Sequence, residues 1–183
     1  DGGPTKIAAI TPGTGGALKL TLDRPIPAAD QGGYLVDLNY AGARYIVRNN
    51  QFLHNRARGA LLQTPYGLVT GNSFAGQTMY ALFLTVFPIE GPGAQNVMIA
   101  DNKISATGVG GGLAAIILSR ERNAYGPPAR NPPAHQNIIF AGNRIRDVPG
   151  PAFYVSSANN VVLYRNSLQN TNGQGLDNRW NGA

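Results

Sequence analysis

The sequence contains no cysteine. This absence excludes a disulfide framework and thiolate metal ligands, but it leaves the compartment open because secreted β-proteins do not require disulfides. No apolar run approaches the roughly 20 residues that a membrane-spanning helix needs, so we expect no membrane span. Charged residues make up only 13% of the chain, and the formal excess of six positive charges is scattered through turns. Because no basic stripe interleaved with aromatics is present, we expect no nucleic-acid partner.

Titratable ligands are also few. Two histidines and nine carboxylates are present, and they do not converge with the spacing of metal ligands, so we predict no metal or other cofactor. Glycine and proline are plentiful instead, with 24 and 13 residues, and no segment shows the apolar period of a helix. This composition predicts an all-β protein of short strands separated by turns.

A short motif occurs five times. In each copy an apolar run typical of a strand is followed by a small or polar residue, Asn, one variable residue and an apolar anchor. The five asparagines are Asn50, Asn72, Asn102, Asn143 and Asn166. Their spacings of 22, 30, 41 and 23 residues indicate a coil of about 22 residues that two insertions lengthen. Such repeats stack to share one core, so we predict a right-handed parallel β-helix, a solenoid, over the coils.

A second apolar strand lies between successive motifs, at residues 60–64, 81–85, 115–119 and 152–156. Each opens with Ala and continues with apolar residues and a hydroxyl, except that Gln63 interrupts the first. Strands that are almost entirely apolar fit a sheet covered on both faces, and the sequence does not decide which parity faces inward. We expect the motif asparagines to form a ladder at a bend, because Asn tolerates the left-handed conformation and its amide can bond the next coil.

The chain divides into three stretches. Residues 1–40 are predicted to form a small N-terminal β-hairpin insertion or partial coil, with a Gly-rich turn at 12–16. Residues 41–169 form the coils, and residues 170–183, rich in Asn and Gly, form a tail or partial cap. No amphipathic capping helix flanks the coils, so open strand edges are expected at both ends. We therefore expect the remainder of a longer β-helix, or end-to-end self-association, to cover them.

Two insertions, 85–95 and 119–136, occur at the same point of the repeat. Equivalent positions in adjacent coils stack about 4.8 Å apart, so the two loops should rise side by side from one edge. They contain the only two glutamates of the chain, Glu90 and Glu121. Glycoside hydrolysis needs two carboxyl groups across a sugar bond, which makes these the candidate catalytic residues. The alternative is that Glu121 belongs to a surface ion-pair cluster and that Glu90 is a turn residue.

Further polar residues are candidates for binding substrate. Two of them lie next to Gly59, where they could instead pack against the hairpin, and four lie in the second insertion, where the histidine is also an acid/base candidate. They are Arg56, Arg58, Arg120, Arg122, Tyr125 and His135.

Residues 55–65, 71–74 and 80–84 resemble the right-handed β-helix glycoside hydrolases of the α-1,3-galactosidase type and their uncharacterised bacterial relatives. Residues 20–27 resemble the small β-insertion of those proteins, and the resemblance covers residues 5–167. It implies a secreted or periplasmic bacterial protein that acts on a galactoside or related polysaccharide, with a polysaccharide or oligosaccharide as partner. In that family an acidic, aromatic-rich loop follows the strand that corresponds to 81–84. In this chain that loop keeps Glu90 and lacks the neighbouring Asp residues and Trp.

Two other functions fit the same sequence. In a polysaccharide lyase, an Arg would act as base while other basic residues neutralise a uronate, and Arg120 and Arg122 suit those roles. The acidic calcium cluster common in that chemistry is missing from the sequence. A non-catalytic glycan-binding or structural β-helix module is the third interpretation, because the fold alone does not choose among these functions.

Overall fold

A computed structural model of the chain describes residues 5–26, 37, 39, 41–86, 91–110, 114–120 and 133–172. The chain divides into two compact units, Asp1–Leu35 and Val36–Ala183. In the first unit, β1 (Ile7–Pro12) and β2 (Leu18–Leu22) pair antiparallel across a 3-10 turn at Thr14–Gly16. This pairing confirms the predicted N-terminal hairpin.

The second unit is built of coils that contain up to three short strands each. The strands are β3 (Ile46–Arg48), β4 (Gln51–Leu53), β5 (Ala60–Leu62), β6 (Leu68–Thr70), β7 (Ser73–Ala75), β8 (Leu82–Val86), β9 (Gln95–Ala100), β10 (Lys103–Ser105), β11 (Ile116–Arg120), β12 (His135–Ala141), β13 (Arg144–Val148), β14 (Phe153–Val155), β15 (Ala158–Tyr164) and β16 (Ser167–Thr171).

These strands form three parallel sheets, each of which takes one strand from successive coils. Sheet I has the order β3-β6-β9-β12-β15, sheet II the order β4-β7-β10-β13-β16, and sheet III the order β5-β8-β11-β14. The pairing is in register, so that Val47 lies beside Val69 and Val69 beside Ile99. The architecture confirms the right-handed parallel β-helix predicted from the repeat.

Register places like side chains in columns through the core. The rings of Phe52 and Phe74 stack face to face with centroids 4.7 Å apart. In sheet III, Leu82 and Leu84 belong to the main core, whereas Phe83 packs in a second apolar cluster. The structure therefore answers the question of parity: even-numbered residues of β8 face the helix interior, and odd-numbered ones face outward.

The five motif asparagines form the predicted ladder between sheets I and II. The Nδ2 of each of the first four donates to the Oδ1 of the Asn in the next coil, at 3.2, 2.9, 3.0 and 2.9 Å in chain order. At each step, the backbone N–H of the Asn that comes earlier in the chain donates to the same Oδ1 atom. Asn72, Asn102 and Asn143 are fully buried, so the ladder satisfies polar groups that would otherwise be costly inside the core.

The left-handed backbone at this bend belongs to the residue before each ladder Asn, which corrects the expectation that the Asn itself adopts it. These residues are Asn49, Gly71, Asp101, Gly142 and Arg165, with φ between 51° and 65°. The preceding residue makes the turn, and the Asn side chain is then directed along the helix axis. Asp101 thus belongs to a turn of the repeat.

The apolar strand predicted at residues 60–64 is shifted by one residue from its predicted alignment with residues 81–85. Ala60 pairs with Leu82, and its backbone N–H bonds the carbonyl of Ala81. Gly59 therefore takes the position that Ala occupies in the later coils. A Cβ on Gly59 would lie 2.5 Å from Cδ1 of Phe74 and 2.6 Å from the oxygen of Ala81, so this coil has no room for an alanine there.

Candidate functional site

The two insertions begin and end at neighbouring positions of adjacent coils. At their start, Thr85 of β8 pairs with Ser119 of β11, and at their end Gln95 pairs with Gln136. This confirms the expectation that both loops leave and re-enter the helix side by side. Four of the predicted site residues, Glu90, Glu121, Arg122 and Tyr125, lie outside the described residues, and their roles stay predictions.

His135 connects the bases of both loops. Its Nδ1 accepts a hydrogen bond from the backbone N–H of Ala94 at 3.1 Å, at the end of the first loop. Its Nε2 lies 2.9 Å from the carbonyl oxygen of Ser119, at the start of the second. Because Nδ1 accepts, Nε2 must carry the proton and donate, which fixes one neutral tautomer. The ring is fully buried and both of its nitrogens contact the backbone, so His135 joins the bases of the two loops, and its role towards a substrate stays a prediction.

Arg120 is the last residue of β11 and pairs with Val86, which places its backbone at the base of the second loop. Arg56 and Arg58 lie at the opposite edge of sheet III, before β5. Because the strands are parallel and β8 has five residues, the two edges are about 16 Å apart along the strands. The structure thus brings Arg120 and His135 to the loop bases, whereas the backbones of Arg56 and Arg58 lie at the opposite edge of the sheet.

Arg58 lies over the outer face of sheet III. Its guanidinium carbon is 5.0 Å from the centroid of the Phe83 ring, which is cation–π geometry. Its Nε is buried and has no hydrogen-bond partner in the described part of the chain. Of the two arginines, Arg58 packs against the sheet, whereas Arg56 is exposed to solvent.

The outer face of sheet III carries an apolar cluster that sequence reasoning missed. Phe83, Ile117 and Ala114 are buried there, with Tyr80 and Tyr154 packed against them. The rings of Tyr80 and Phe83 meet edge to face, with centroids 5.2 Å apart. Thr85, like Phe83, is an odd-numbered residue of β8 and faces outward. Its Oγ1 is buried at the start of the first loop and has no hydrogen-bond partner among the described residues. The available signal was the alternation along residues 82–85, which puts Phe83 and Thr85 on one face.

Sheet I presents a different outer surface. One column of aliphatic side chains runs along it, and four of its members are between 40% and 68% exposed: Ile46, Met98, Ile139 and Val162. Beside this column Asn137 donates to Asn96 at 2.9 Å, and Asn160 donates to Asn137 at 2.7 Å. A shallow depression of about 270 Å³ lies between the column and this exposed ladder. We call this the sheet I surface.

Among the residues that the structure describes, no three His, Asp or Glu side chains come close enough to hold a metal ion. The same residues include no helix with the length and apolarity needed to cross a membrane.

Comparison with known proteins identifies the family. A family model described as a right handed beta helix region matches residues 40–182. The match includes every strand from β3 to β16. No curated protein and no solved structure matches the chain. Stacked parallel sheets, a continuous Asn ladder and the family match agree, and the chain belongs to the right-handed β-helix family.

Proposed function

We propose that this β-helix is a carbohydrate-active protein that hydrolyses a glycosidic bond, with Glu90 and Glu121 as its pair of carboxyl groups. The observation that carries the proposal is the pairing of Thr85 with Ser119 and of Gln95 with Gln136. The two loops lie on adjacent coils, and each contains one of the chain's glutamates. Their first residues are paired with each other, and so are their last residues. The resemblance to α-1,3-galactosidase-type enzymes supports a galactoside or related polysaccharide as substrate.

The chemistry follows from two carboxyl groups on opposite sides of a sugar bond. One protonates the leaving oxygen, and the other acts as nucleophile or activates water. Retaining enzymes hold the two groups about 5–5.5 Å apart, and inverting enzymes about 6.5–9.5 Å. Strand pairing sets the loop bases about 4.8 Å apart, so both separations are within reach of the loops. Arg120 is the last residue of β11 at the start of the second loop, and we propose that it binds a sugar oxygen.

The direct test uses the full chain, a panel of neutral galactosides and acidic polysaccharides, and the variants Glu90→Gln and Glu121→Gln. We expect each variant to lose about two to four orders of magnitude in kcat, because an acid or base has been removed. Asp101→Asn is the matched control, since this exposed carboxylate lies in a turn of the repeat away from the loops. Unchanged turnover in both glutamine variants would end the proposal. Unsaturated products from an acidic polysaccharide would indicate a lyase instead.

A non-catalytic glycan-binding role is the second candidate, and the sheet I surface favours it. A pyranose ring has apolar C–H faces and polar edges, and the column of Met98 and Ile139 beside the amides of Asn96 and Asn137 offers both kinds of contact. In that case a glycan array would respond while no glycan is cleaved. Asn137→Ala would weaken that binding, and Glu90→Gln would leave it unchanged. Binding that Asn137→Ala does not alter would exclude this surface.

A further inference from the structure

We propose that a row of side chains at the edge of sheet I is the binding path for an extended, neutral polysaccharide. The row lies at the bend that leads into sheet I, where one residue of each coil has a left-handed backbone with φ between 53° and 62°. All of these residues are exposed. They are Arg44, Tyr66, Asn96, Asn137 and Asn160, and we call them the axial strip. Four steps of about 4.8 Å give the strip a length of about 19 Å parallel to the helix axis.

The members of the axial strip are joined one after the other. The three asparagines are linked by the two amide hydrogen bonds of the exposed ladder. The backbone N–H of Tyr66 donates to the carbonyl of Gln95, the residue before Asn96, at 2.7 Å. The guanidinium carbon of Arg44 lies 5.8 Å from the centroid of the Tyr66 ring. The strip is therefore one continuous surface that crosses five successive coils.

Tyr66 contributes an aromatic ring at a position where folding alone favours a smaller residue. Asn and Gly adopt the left-handed backbone most readily, and a bulky side chain adopts it at a cost. Tyr66 nevertheless has a φ of 61°, and its side chain is 52% exposed. The cation–π contact with Arg44 holds the ring in place on the surface. A strained and exposed aromatic residue indicates a role in binding, and aromatic rings stack on the C–H faces of sugars.

The surface beside the strip is uncharged, which selects a neutral ligand. The depression is lined by Gly67, Asn96, Val97, Met98, Asn137 and Ile139. Its aliphatic side chains suit the C–H faces of a pyranose ring, and its amides suit the hydroxyl groups at the ring edge. An amide has two donor hydrogens and two acceptor lone pairs, so the ladder bond between Asn137 and Asn96 leaves further capacity for hydroxyls.

The repeat of the strip selects a polymer, and the pairing of sheet I argues against a peptide. Each coil adds one strip residue about every 4.8 Å, which is close to the length of one pyranose unit in an extended chain. A peptide binds a sheet by pairing with an open edge. β9 and β12 each have a neighbouring strand on both sides, so their backbone offers no edge at Asn96 or Asn137. The exposure of these two residues likewise does not depend on where the described coils end.

The axial strip passes the bases of both insertions. Asn96 and Asn137 directly follow the two paired residues at which the insertions end. Two members of the strip lie on earlier coils, and one lies on the following coil. A chain bound along the strip therefore has sugar units on both sides of the insertions. Together with the proposed function, on which this step rests, the geometry assigns cleavage within the polysaccharide chain rather than at its end.

The variants that test the strip preserve its backbone. Tyr66→Asn removes the ring and fits the left-handed conformation, as Asn does in the later coils. Asn160→Gly removes an amide and tolerates the same conformation. Asn170→Gly is the matched control: Asn170 is exposed, has a φ of 49° and donates to Asp147 of the preceding coil, but it lies in β16 of sheet II. Circular dichroism and thermal unfolding show that each variant is folded.

Binding is measured by isothermal titration calorimetry with the Glu90→Gln/Glu121→Gln double variant as background. The probes are galactan, glucan, mannan and xylan oligosaccharides of one to eight units, with oligogalacturonates as their acidic counterparts. We expect the affinity for a neutral series to rise about tenfold or more from one unit to about four units and then to level off, because the strip is about 19 Å long. Tyr66→Asn and Asn160→Gly should each weaken binding of the six-unit chain by about fivefold or more, and Asn170→Gly should not.

Three results of the titrations overturn the proposal: no binding of any neutral series, an affinity that does not depend on chain length, or tighter binding of oligogalacturonates. In the wild-type background, a polymer of the bound series should first give fragments of intermediate length. Release of single sugars from the outset overturns cleavage within the chain.

Failure of the strip and failure of the proposed function give different results. If the glutamine variants keep their turnover while Tyr66→Asn and Asn160→Gly weaken binding, the catalytic pair is wrong and the strip is supported. If the glutamine variants lose their turnover while neither strip variant alters binding, the strip is wrong and the catalytic pair is supported.

Discussion

Replacing Asn102 with alanine should destabilise the protein more than any comparable change at the ends of the ladder. Asn102 is fully buried and lies at the middle step. Its Nδ2 donates to the carbonyl of Val69 and to Oδ1 of Asn143, both at 3.0 Å. Its Oδ1 accepts from the backbone N–H and from Nδ2 of Asn72, both at 2.9 Å. The single side chain therefore makes four hydrogen bonds inside the core.

The magnitude follows from the groups that lose their partners. Without Oδ1, the buried N–H of Asn72 has no acceptor, and a buried unsatisfied group costs about 1–3 kcal/mol. A hydrogen of the Asn72 amide is orphaned as well, and the truncation leaves a small cavity. We expect a total loss of about 2–5 kcal/mol in the free energy of unfolding, a large share of the roughly 5–15 kcal/mol typical of a domain. Asn50→Ala is the control, since Asn50 is exposed and its Oδ1 accepts no hydrogen bond from the described residues.

Urea unfolding followed by far-UV circular dichroism measures the difference. We expect a much lower midpoint for Asn102→Ala and a loss of at most about 1 kcal/mol for Asn50→Ala, the usual net value of a hydrogen bond near the surface. Equal midpoints for the two variants would show that burial of the ladder does not stabilise the helix, and would refute the reasoning.

Three further outcomes are expected. Gly59→Ala should lower the free energy of unfolding by about 1–3 kcal/mol, because its Cβ would overlap the Phe74 ring and the Ala81 carbonyl. An unchanged unfolding midpoint would contradict the pairing of Ala60 with Leu82. Burial raises the pKa of Tyr45 to about 12 from 10.0, so its stabilising contribution is complete below pH 10 and is lost as the pH rises towards 12. Tyr45→Phe should remove that part of the pH dependence in alkaline unfolding curves. At neutral pH the same variant should be as stable as wild type or more so, since the buried hydroxyl has no partner among the described residues, and a clear loss of stability would indicate an unseen one.

The sequence predicted the coils well because the ladder constrains them. The buried side-chain amide must form a hydrogen bond with the Asn in the next coil, so each coil has Asn at the same position. Asn102 and its equivalents therefore make the repeat recognisable in the sequence. The register of residues 60–64 was wrong for the opposite reason. Gly59 and Ala60 are both small, and the apolar pattern alone does not tell which of them lies opposite Ala81.

The candidate site was predictable only at its base. The repeat fixes Thr85, Ser119, Gln95 and Gln136, because strand pairing resumes at those positions. Inside the insertions no repeat applies, so sequence spacing carries no information on the position of Glu90 or Glu121. The sheet I surface was missed because outward aliphatic residues such as Met98 and Ile139 alternate along their strands with core residues and look the same in sequence.

The separation of the Glu90 and Glu121 carboxyl groups tests the central claim most directly. A crystal structure of the full chain with a bound oligosaccharide would give it. The account predicts both carboxyl groups at one edge of the helix on either side of the glycan, about 5–5.5 Å apart for a retaining enzyme or about 6.5–9.5 Å apart for an inverting one. A separation far beyond these ranges, or a carboxyl group directed into bulk water away from the sugar, would contradict a catalytic role for the pair.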